Sequence, residues 1–162
     1  MATQSVCIGV IGANKTDDKN FELAREVGEH IAARGAVLVC GGLGGIMEAA
    51  SKGAAEKGGT VIGILPDSDK KNANPYVSIA LPTGMGIARN TLIVKMSDVL
   101  IAFPGAFGTL SEIAFALASG KTVVYLPGAW DLKKIAPVDS AQFKEAFDAR
   151  HAIGLALSAA GT

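Results

Sequence analysis

Three apolar runs of strand length, at residues 5–11, 37–40 and 98–103, each pass straight into a glycine-bearing turn and then into a stretch with helical spacing. A run that is apolar at nearly every position suits a strand covered on both faces, as in a parallel sheet flanked by crossover helices. Further runs at 60–65, 76–81 and 122–126 continue the alternation. With right-handed crossovers the rule, the expected fold class is α/β: a single-domain, doubly wound, Rossmann-like parallel sheet with helices on both faces. Residues 1–162 would then form one phosphate- or cofactor-binding domain. The run at 5–11 should be its central strand. Ligands in such sheets lie beyond the carboxyl ends of the strands where the strand order reverses, so the turns after the first, second and fifth strands are expected to meet there.

Helices are expected at 21–34, entered from the polar stretch through Asp18 and ended by Gly35; at 46–57, closed by Gly58-Gly59; within 87–96, after Gly84 and Gly86; and at 113–119. The tail at 140–160 carries Phe143, Ala146, Phe147, His151 and Leu155 at helical spacing, interrupted by Gly154, and should pack on the sheet or on a second subunit. Pro66 should end the third strand and Pro127-Gly128 the sixth, with Trp130, Asp131, Lys133 and Lys134 in a surface loop. The polar, aperiodic segment 67–75 reads as a loop, a flap over the strand ends.

Composition narrows the function classes. A chain of 162 residues with a 49% hydrophobic share can bury a full core without disulfides or metals. Its 15 basic and 15 acidic residues cancel, which leaves no field to draw the molecule to nucleic acid or to a membrane surface. Cys7 and Cys40 sit in apolar runs, where thiols behave as small hydrophobes. No apolar run reaches the roughly 18 residues that a spanning helix needs, so a cytoplasmic protein is expected. His30 and His151 fall in no metal-ligand spacing, and no metal is expected. There is no Gly-Lys-Ser/Thr phosphate loop and no Gly-x-Ser-x-Gly elbow. The hydroxyls of Thr109 and Ser111 have no base beside them in the sequence.

The chemistry concentrates in Pro104-Gly105-Ala106-Phe107-Gly108-Thr109-Leu110-Ser111-Glu112. A strand-to-helix turn aims backbone N–H groups beyond the strand end, and the helix dipole makes that point attract anions, phosphate above all. Gly105 and Gly108 let a ligand approach the backbone closely. Thr109 and Glu112 stand at capping-box spacing, so Glu112 either caps the Thr109 N–H, worth about 1 kcal/mol, or presents its carboxylate to a ligand. Gly41-Gly42-Leu43-Gly44-Gly45 forms a second such turn. It resembles the dinucleotide fingerprint but has Met47 where the third glycine would be, and tight helix–strand packing accounts for it equally well. Arg89 is the one basic residue in 87–93. It either points to solvent, since Arg is seldom fully buried, or clamps an anion with its forked guanidinium. Gly12-Ala13-Asn14-Lys15 supplies the turn after the first strand.

Three of these stretches, Gly41-Gly42-Leu43-Gly44-Gly45-Ile46-Met47-Glu48, Gly86-Ile87-Ala88-Arg89-Asn90 and the 104–112 turn, together resemble a known superfamily. It is the one once labelled "possible lysine decarboxylase", which contains the LOG cytokinin-activating phosphoribohydrolases and the molybdenum cofactor carrier proteins. The resemblance runs from Val6 to Leu126, with no pyridoxal lysine site in view. For a LOG-type enzyme it implies that Arg89 and Glu112 act on the N-glycosidic bond of a nucleoside 5'-monophosphate while the glycine loop holds the phosphate. The chain departs from that pattern at Ala106, where those enzymes have a second glycine, and at Asn90, where they have Lys.

It resembles more closely the compact carrier branch, in which Arg-Asn is the familiar pair. That branch implies binding and storage of molybdenum cofactor (molybdopterin), a pterin with a terminal phosphate, ahead of delivery to a molybdoenzyme such as nitrate reductase. The binding residues so implied are Gly12, Asn14, Lys15, Gly41, Gly42, Gly44, Gly45, Arg89, Asn90, Gly105, Phe107, Gly108, Thr109 and Glu112. Backbone donors and cations would take the phosphate; Asn14, Asn90 and Glu112 would take the pterin. A carrier needs no catalytic residue. The resemblance also implies a homodimer or homotetramer formed through helices beside the site.

Overall fold

The computed structural model describes residues 4–126, 128, 130–135, 139 and 141–161. In chain order the elements are β1 (Cys7–Ile11), α1 (Asp18–Ala33), β2 (Val37–Cys40), α2 (Ile46–Glu56), β3 (Val61–Leu65), β4 (Ile79–Pro82), a 3-10 turn (Gly86–Arg89) and α3 (Asn90–Met96). There follow β5 (Val99–Ala102), α4 (Phe107–Ala118), β6 (Val123–Tyr125), α5 (Leu132–Ile135), β7 (Phe143–Glu145) and α6 (Ala149–Ala159).

The strands form one parallel seven-stranded sheet in the order β4-β3-β2-β1-β5-β6-β7. β1 is central, as its unbroken apolar run implies: Ile8 stands beside Leu38 of β2 on one side and Val99 of β5 on the other. The chain steps outward from β1 to β4, crosses back, and steps outward again from β5 to β7, so the order reverses between β1 and β5.

Alternate strand residues feed two separate apolar layers, the doubly wound arrangement. Ile8, Val10, Leu38 and Ile101 meet Val27 and Ile31 of α1, Ala50 of α2 and Ile153 of α6. Ile11, Val39, Leu100 and Ala102 meet Ile93 and Val94 of α3 and Ile113 and Ala116 of α4. Each buried aliphatic side chain contributes about 1.5–3 kcal/mol, and the sheet held between these layers is the frame on which the turns stand. α1 and α2 cross at backbone contact: a Cβ on Gly28 would lie 2.0 Å from the Ala50 carbonyl oxygen, so only glycine permits the crossing.

Several segments differ from expectation. The tail is not one helical stretch, because β7 adds to the sheet edge with Phe143 beside Val123. Phe143 packs inward on Tyr125, ring centroids 5.7 Å apart, while Glu145 is exposed, an alternation of period two. α6 starts after Asp148, whose Oδ1 accepts from the His151 N–H at 2.7 Å, and it continues through Gly154 without a break. The helix expected at 113–119 begins earlier, at Phe107. Residues 87–96 divide into the 3-10 turn and α3. The 130–134 segment is not all surface loop, since Leu132 is buried at the start of α5.

The 67–75 loop is pinned to the second glycine turn: the Asn74 N–H donates to Gly42 O and its Nδ2 to Leu43 O, each at 2.9 Å. Pro127 and Ser140, expected to stop the sixth strand and to open the tail, lie outside the described residues. No described helix is long and apolar enough to cross a membrane.

Candidate functional site

The turns after β1, β2 and β5 meet at one rim of the sheet, around the point where the strand order reverses. The Ala13 N–H donates to Pro104 O at 3.2 Å, joining the first turn to the fifth-strand turn, and the Ile46 N–H donates to Ala13 O at 3.0 Å, joining the first to the second. They frame a cleft of about 360 Å³. Of the residues expected at the site, Gly12, Asn14, Gly41, Arg89, Asn90, Gly108, Thr109 and Glu112 line it. Lys15, Gly42, Gly44, Gly45, Gly105 and Phe107 do not; Lys15 and Phe107 are exposed, and the four glycines belong to the turns that frame the cleft.

Sequence reading missed an apolar wall formed by Leu43, Met47, Pro66 and Ile87. Met47 and Pro66 carried a signal, since each stands just after a strand or its turn at this same rim. Ile87 carried none, because a 3-10 turn rather than the expected helix brings it there.

The second glycine turn uses its polar groups on the protein itself. Asn14 Oδ1 accepts from the Gly44 N–H at 2.9 Å, the Gly42 N–H faces the Cys40 Sγ at 3.4 Å, and the Ile46 N–H is bonded to Ala13. These three N–H groups are thus engaged within the protein, while Gly41 and Leu43 of the same turn line the cleft.

The fifth-strand turn is built differently. α4 has Ala106 as its N-cap, extended at φ −109° and ψ −161° and without a side-chain oxygen to offer. The capping box expected of Thr109 and Glu112 is not formed, because both residues lie inside the helix. A proline and two glycines in 104–108 read as loop, yet a glycine within a helix costs only about 1 kcal/mol. The first ladder bond runs from the Leu110 N–H to Ala106 O at 3.0 Å, so the N–H groups of Phe107, Gly108 and Thr109 lack a helical acceptor. The carboxylates of Asp17 and Asp148 cap α1 and α6. α4 instead presents a bare, partially positive N-terminus to the cleft that Ala106, Gly108 and Thr109 line.

Arg89 is only 8% exposed, so it lies in the cleft wall and not on a solvated face. Its Nε donates to Ile64 O at 2.8 Å, its Nη1 donates to Asn90 Oδ1, and its Nη2 lies against Gly41, where a Cβ would come within 2.7 Å. Asn90 Nδ2 donates in turn to Gly108 O and is 3.3 Å from both that atom and Ser111 Oγ. Both ends of the Asn90 amide are thus engaged within the protein, and the residue joins the guanidinium to the first turn of α4.

Glu112 is 6% exposed and lines the cleft one turn along α4 from Thr109. Among the described residues no hydrogen bond or ion pair holds its carboxyl. Burial pushes its pKa up to about 8, with the Arg89 guanidinium pulling the other way. Burial also weakens the hold of Arg89 on its proton, opposed chiefly by Glu112, but a guanidinium stays charged at any working pH. The Cys40 thiol beneath the second turn is pushed up by burial. A buried carboxyl with a raised pKa beside a cation in a cleft is the pattern that functional sites show. Among the described residues no group of three His, Cys, Asp or Glu side chains could hold a metal ion.

A parallel sheet of this order, with a bare helix N-terminus and a buried arginine at its reversal point, defines a Rossmann-like protein, and such a terminus attracts anions. The chain belongs to the SLOG cluster4 family, whose model matches residues 5–153. It is 37% identical to the molybdenum cofactor binding protein of Rippkaea orientalis, with a TM-score of 0.91 over 97% of this chain and 98% of that one. To the molybdenum cofactor carrier protein of Chlamydomonas reinhardtii it is 34% identical, with a TM-score of 0.88 over 98% and 100%.

Among sequence relatives, an uncharacterised protein of Archaeoglobus fulgidus is 52% identical over 119 residues, 74% of this chain and 78% of the relative. The cytokinin riboside 5'-monophosphate phosphoribohydrolase of Mycobacterium tuberculosis is 34% identical over 112 residues, 67% of this chain and 59% of the enzyme. The chain spans 44–59% of the length of the phosphoribohydrolases it matches. The resemblance drawn from the three motifs therefore holds: the chain lies in the LOG-like superfamily, and its structural neighbours include molybdenum cofactor binding and carrier proteins.

Proposed function

We propose that this protein binds and carries molybdenum cofactor, holding the terminal phosphate at the N-terminus of α4. The observation that carries the reading is the uncapped first turn of α4, whose Gly108 and Thr109 line the same cleft as the buried Arg89. Hydrogen bonds from backbone N–H groups and a guanidinium to phosphate are charge-assisted and roughly twice as strong as neutral ones. The apolar wall of Leu43, Met47 and Ile87 suits the flat face of a pterin. Asn14 engages Gly44 through Oδ1, which leaves Nδ2 to donate to a ring acceptor. The cofactor is cargo in this reading, so no bond is made or broken; the protein holds the phosphate and covers the ring.

The chain then acts as one binding unit in the cytoplasm, and a molybdoenzyme such as nitrate reductase is the kind of recipient that would take the cargo. The outward side of α4 bears no charge: across 106–120 the one ionisable residue is the buried Glu112, while Phe107 and Phe115 are 85% and 44% exposed. A helix that is apolar all round is a buried helix. A second copy covering this side, in a homodimer or homotetramer, supplies that cover.

Protein purified without unfolding from a host that makes the cofactor, then oxidised in acid, tests the reading by pterin fluorescence. A fluorescent pterin released in proportion to protein is expected; protein that carries none, or carries only nucleotide, overturns it. The second reading, a phosphoribohydrolase, draws on one observation: Arg89 and Glu112 share the cleft, and the carboxyl keeps a proton near neutral pH that a departing base could accept. Incubation with adenosine monophosphate decides it, since an enzyme would release adenine and Glu112→Ala would abolish the release.

A further inference from the structure

We propose that anion capture in this cleft is linked to a proton: the bound phosphoryl or sulfate group is held jointly by the α4 N–H groups, the Arg89 guanidinium and the un-ionised carboxyl of Glu112. The inference rests on the reading of the cleft as an anion site and goes beyond it by giving Glu112 the part of a hydrogen-bond donor.

The geometry leaves the carboxyl no other partner. Glu112 is 6% exposed, lines the cleft and makes no hydrogen bond among the described residues. Arg89 is not its partner, because Nε and Nη1 are committed to Ile64 O and Asn90 Oδ1 and the two side chains form no ion pair. Each therefore retains capacity for a third group between them. Thr109 and Glu112, three residues apart on α4, lie on one face of the helix, so the carboxyl continues the line of donors that begins at the bare N-terminus. An ionised carboxylate in that place would repel the anion; a neutral one donates to it.

Burial holds the carboxyl to a pKa of about 8. The charged and titratable groups around it are few. Arg89 faces it from the 3-10 turn, the Cys40 thiol lies at the end of β2 with its pKa pushed up by burial, and Asp67 stands beyond Arg89 after β3. Lys15 is exposed on the first turn, and Glu48 lies in the first turn of α2 near Gly44. Burial thus moves the ionisation of Glu112 into the range between pH 6 and 9.

Equilibrium dialysis of radiolabelled sulfate, at constant ionic strength, tests this, since sulfate does not itself titrate in the range. For the unaltered protein the affinity should fall about tenfold from pH 6.5 to pH 9, while Glu112→Gln should bind sulfate equally at both ends. The same fall in both proteins, or no fall in either, overturns the proton linkage and leaves the carrier reading standing. No sulfate binding by the unaltered protein at any pH removes the anion site itself, and with it both readings.

Discussion

Arg89 and Glu112 meet in one cleft wall, both buried and opposite in charge type, and yet form no ion pair. The guanidinium is turned instead to the Ile64 carbonyl and to Asn90, and the carboxyl is left without a partner. A protein that needed only stability would pair or remove such groups, since an unpaired buried carboxyl is costly.

The cost has a pH signature. In the folded chain Glu112 keeps its proton to about pH 8, against 4.5 as its ordinary value, so the native state binds more protons than the unfolded chain between those limits. Stability contributed by this group is fully present below about pH 4.5, falls as pH rises to about 8, and is level above; the loss is on the order of a few kcal/mol. Glu112→Gln lacks this titration. Its melting temperature should exceed that of the unaltered protein at pH 8, with the gap closing towards pH 5. Calorimetry over that range checks it, and a gap that does not change with pH contradicts it.

Asn90 is a positioning residue. Asn90→Ala frees the Arg89 Nη1 and removes the Nδ2 bonds to Gly108 O and Ser111 Oγ, the carbonyl keeping only its bond from the Ser111 hydroxyl. Losing such buried bonds costs about 1–3 kcal/mol, and the guanidinium gains freedom to leave the α4 N-terminus. Phosphate affinity should drop by about tenfold or more, while Asn90→Asp, which keeps the Arg89 acceptor, should retain part of it. Equal loss in both variants would place the effect elsewhere.

Gly41 is required by the guanidinium, not by the backbone fold. An added Cβ meets Arg89 Nη2 and Met47 Sδ, each at 2.7 Å, and both are far ends of flexible side chains. Gly41→Ala should therefore weaken phosphate binding severalfold with little change in melting temperature. A cooperative loss of stability instead would show that the turn itself cannot adapt.

Gly154 supplies the opposite case. It is exposed inside α6, with no atom within 4 Å of an added Cβ. Gly154→Ala should stabilise by about 0.5–1 kcal/mol, through helix propensity and a less free unfolded chain, and leave ligand binding alone. A thermal melt that shifts downward contradicts this.

Much of the frame was readable because burial on both faces writes itself as unbroken apolar runs: β1, β2 and β3 fall where residues 5–11, 37–40 and 60–65 put them. The three motifs likewise led to the right family. The site was less legible where a residue's role depends on a neighbour distant in sequence. Asn14 bonds Gly44, and Asn90 joins Arg89 to Gly108, pairings that no local spacing announces. The start of α4 was hidden because Gly105 and Gly108 look like loop, and with it the fact that Thr109 and Glu112 stand on a helix face and not in a cap. β7 was hidden by length, since three residues are too few to separate strand from helical spacing.

The central claim is that the first turn of α4 receives the phosphoryl group. Phosphate titrated into isotope-labelled protein, with the backbone amide resonances followed by NMR, tests it most directly. The largest shifts should fall on Phe107, Gly108 and Thr109, with the Arg89 Nε–H moving alongside them. Shifts confined to Gly42, Leu43 and Gly44, or spread over exposed lysines with those three amides still, would contradict the account.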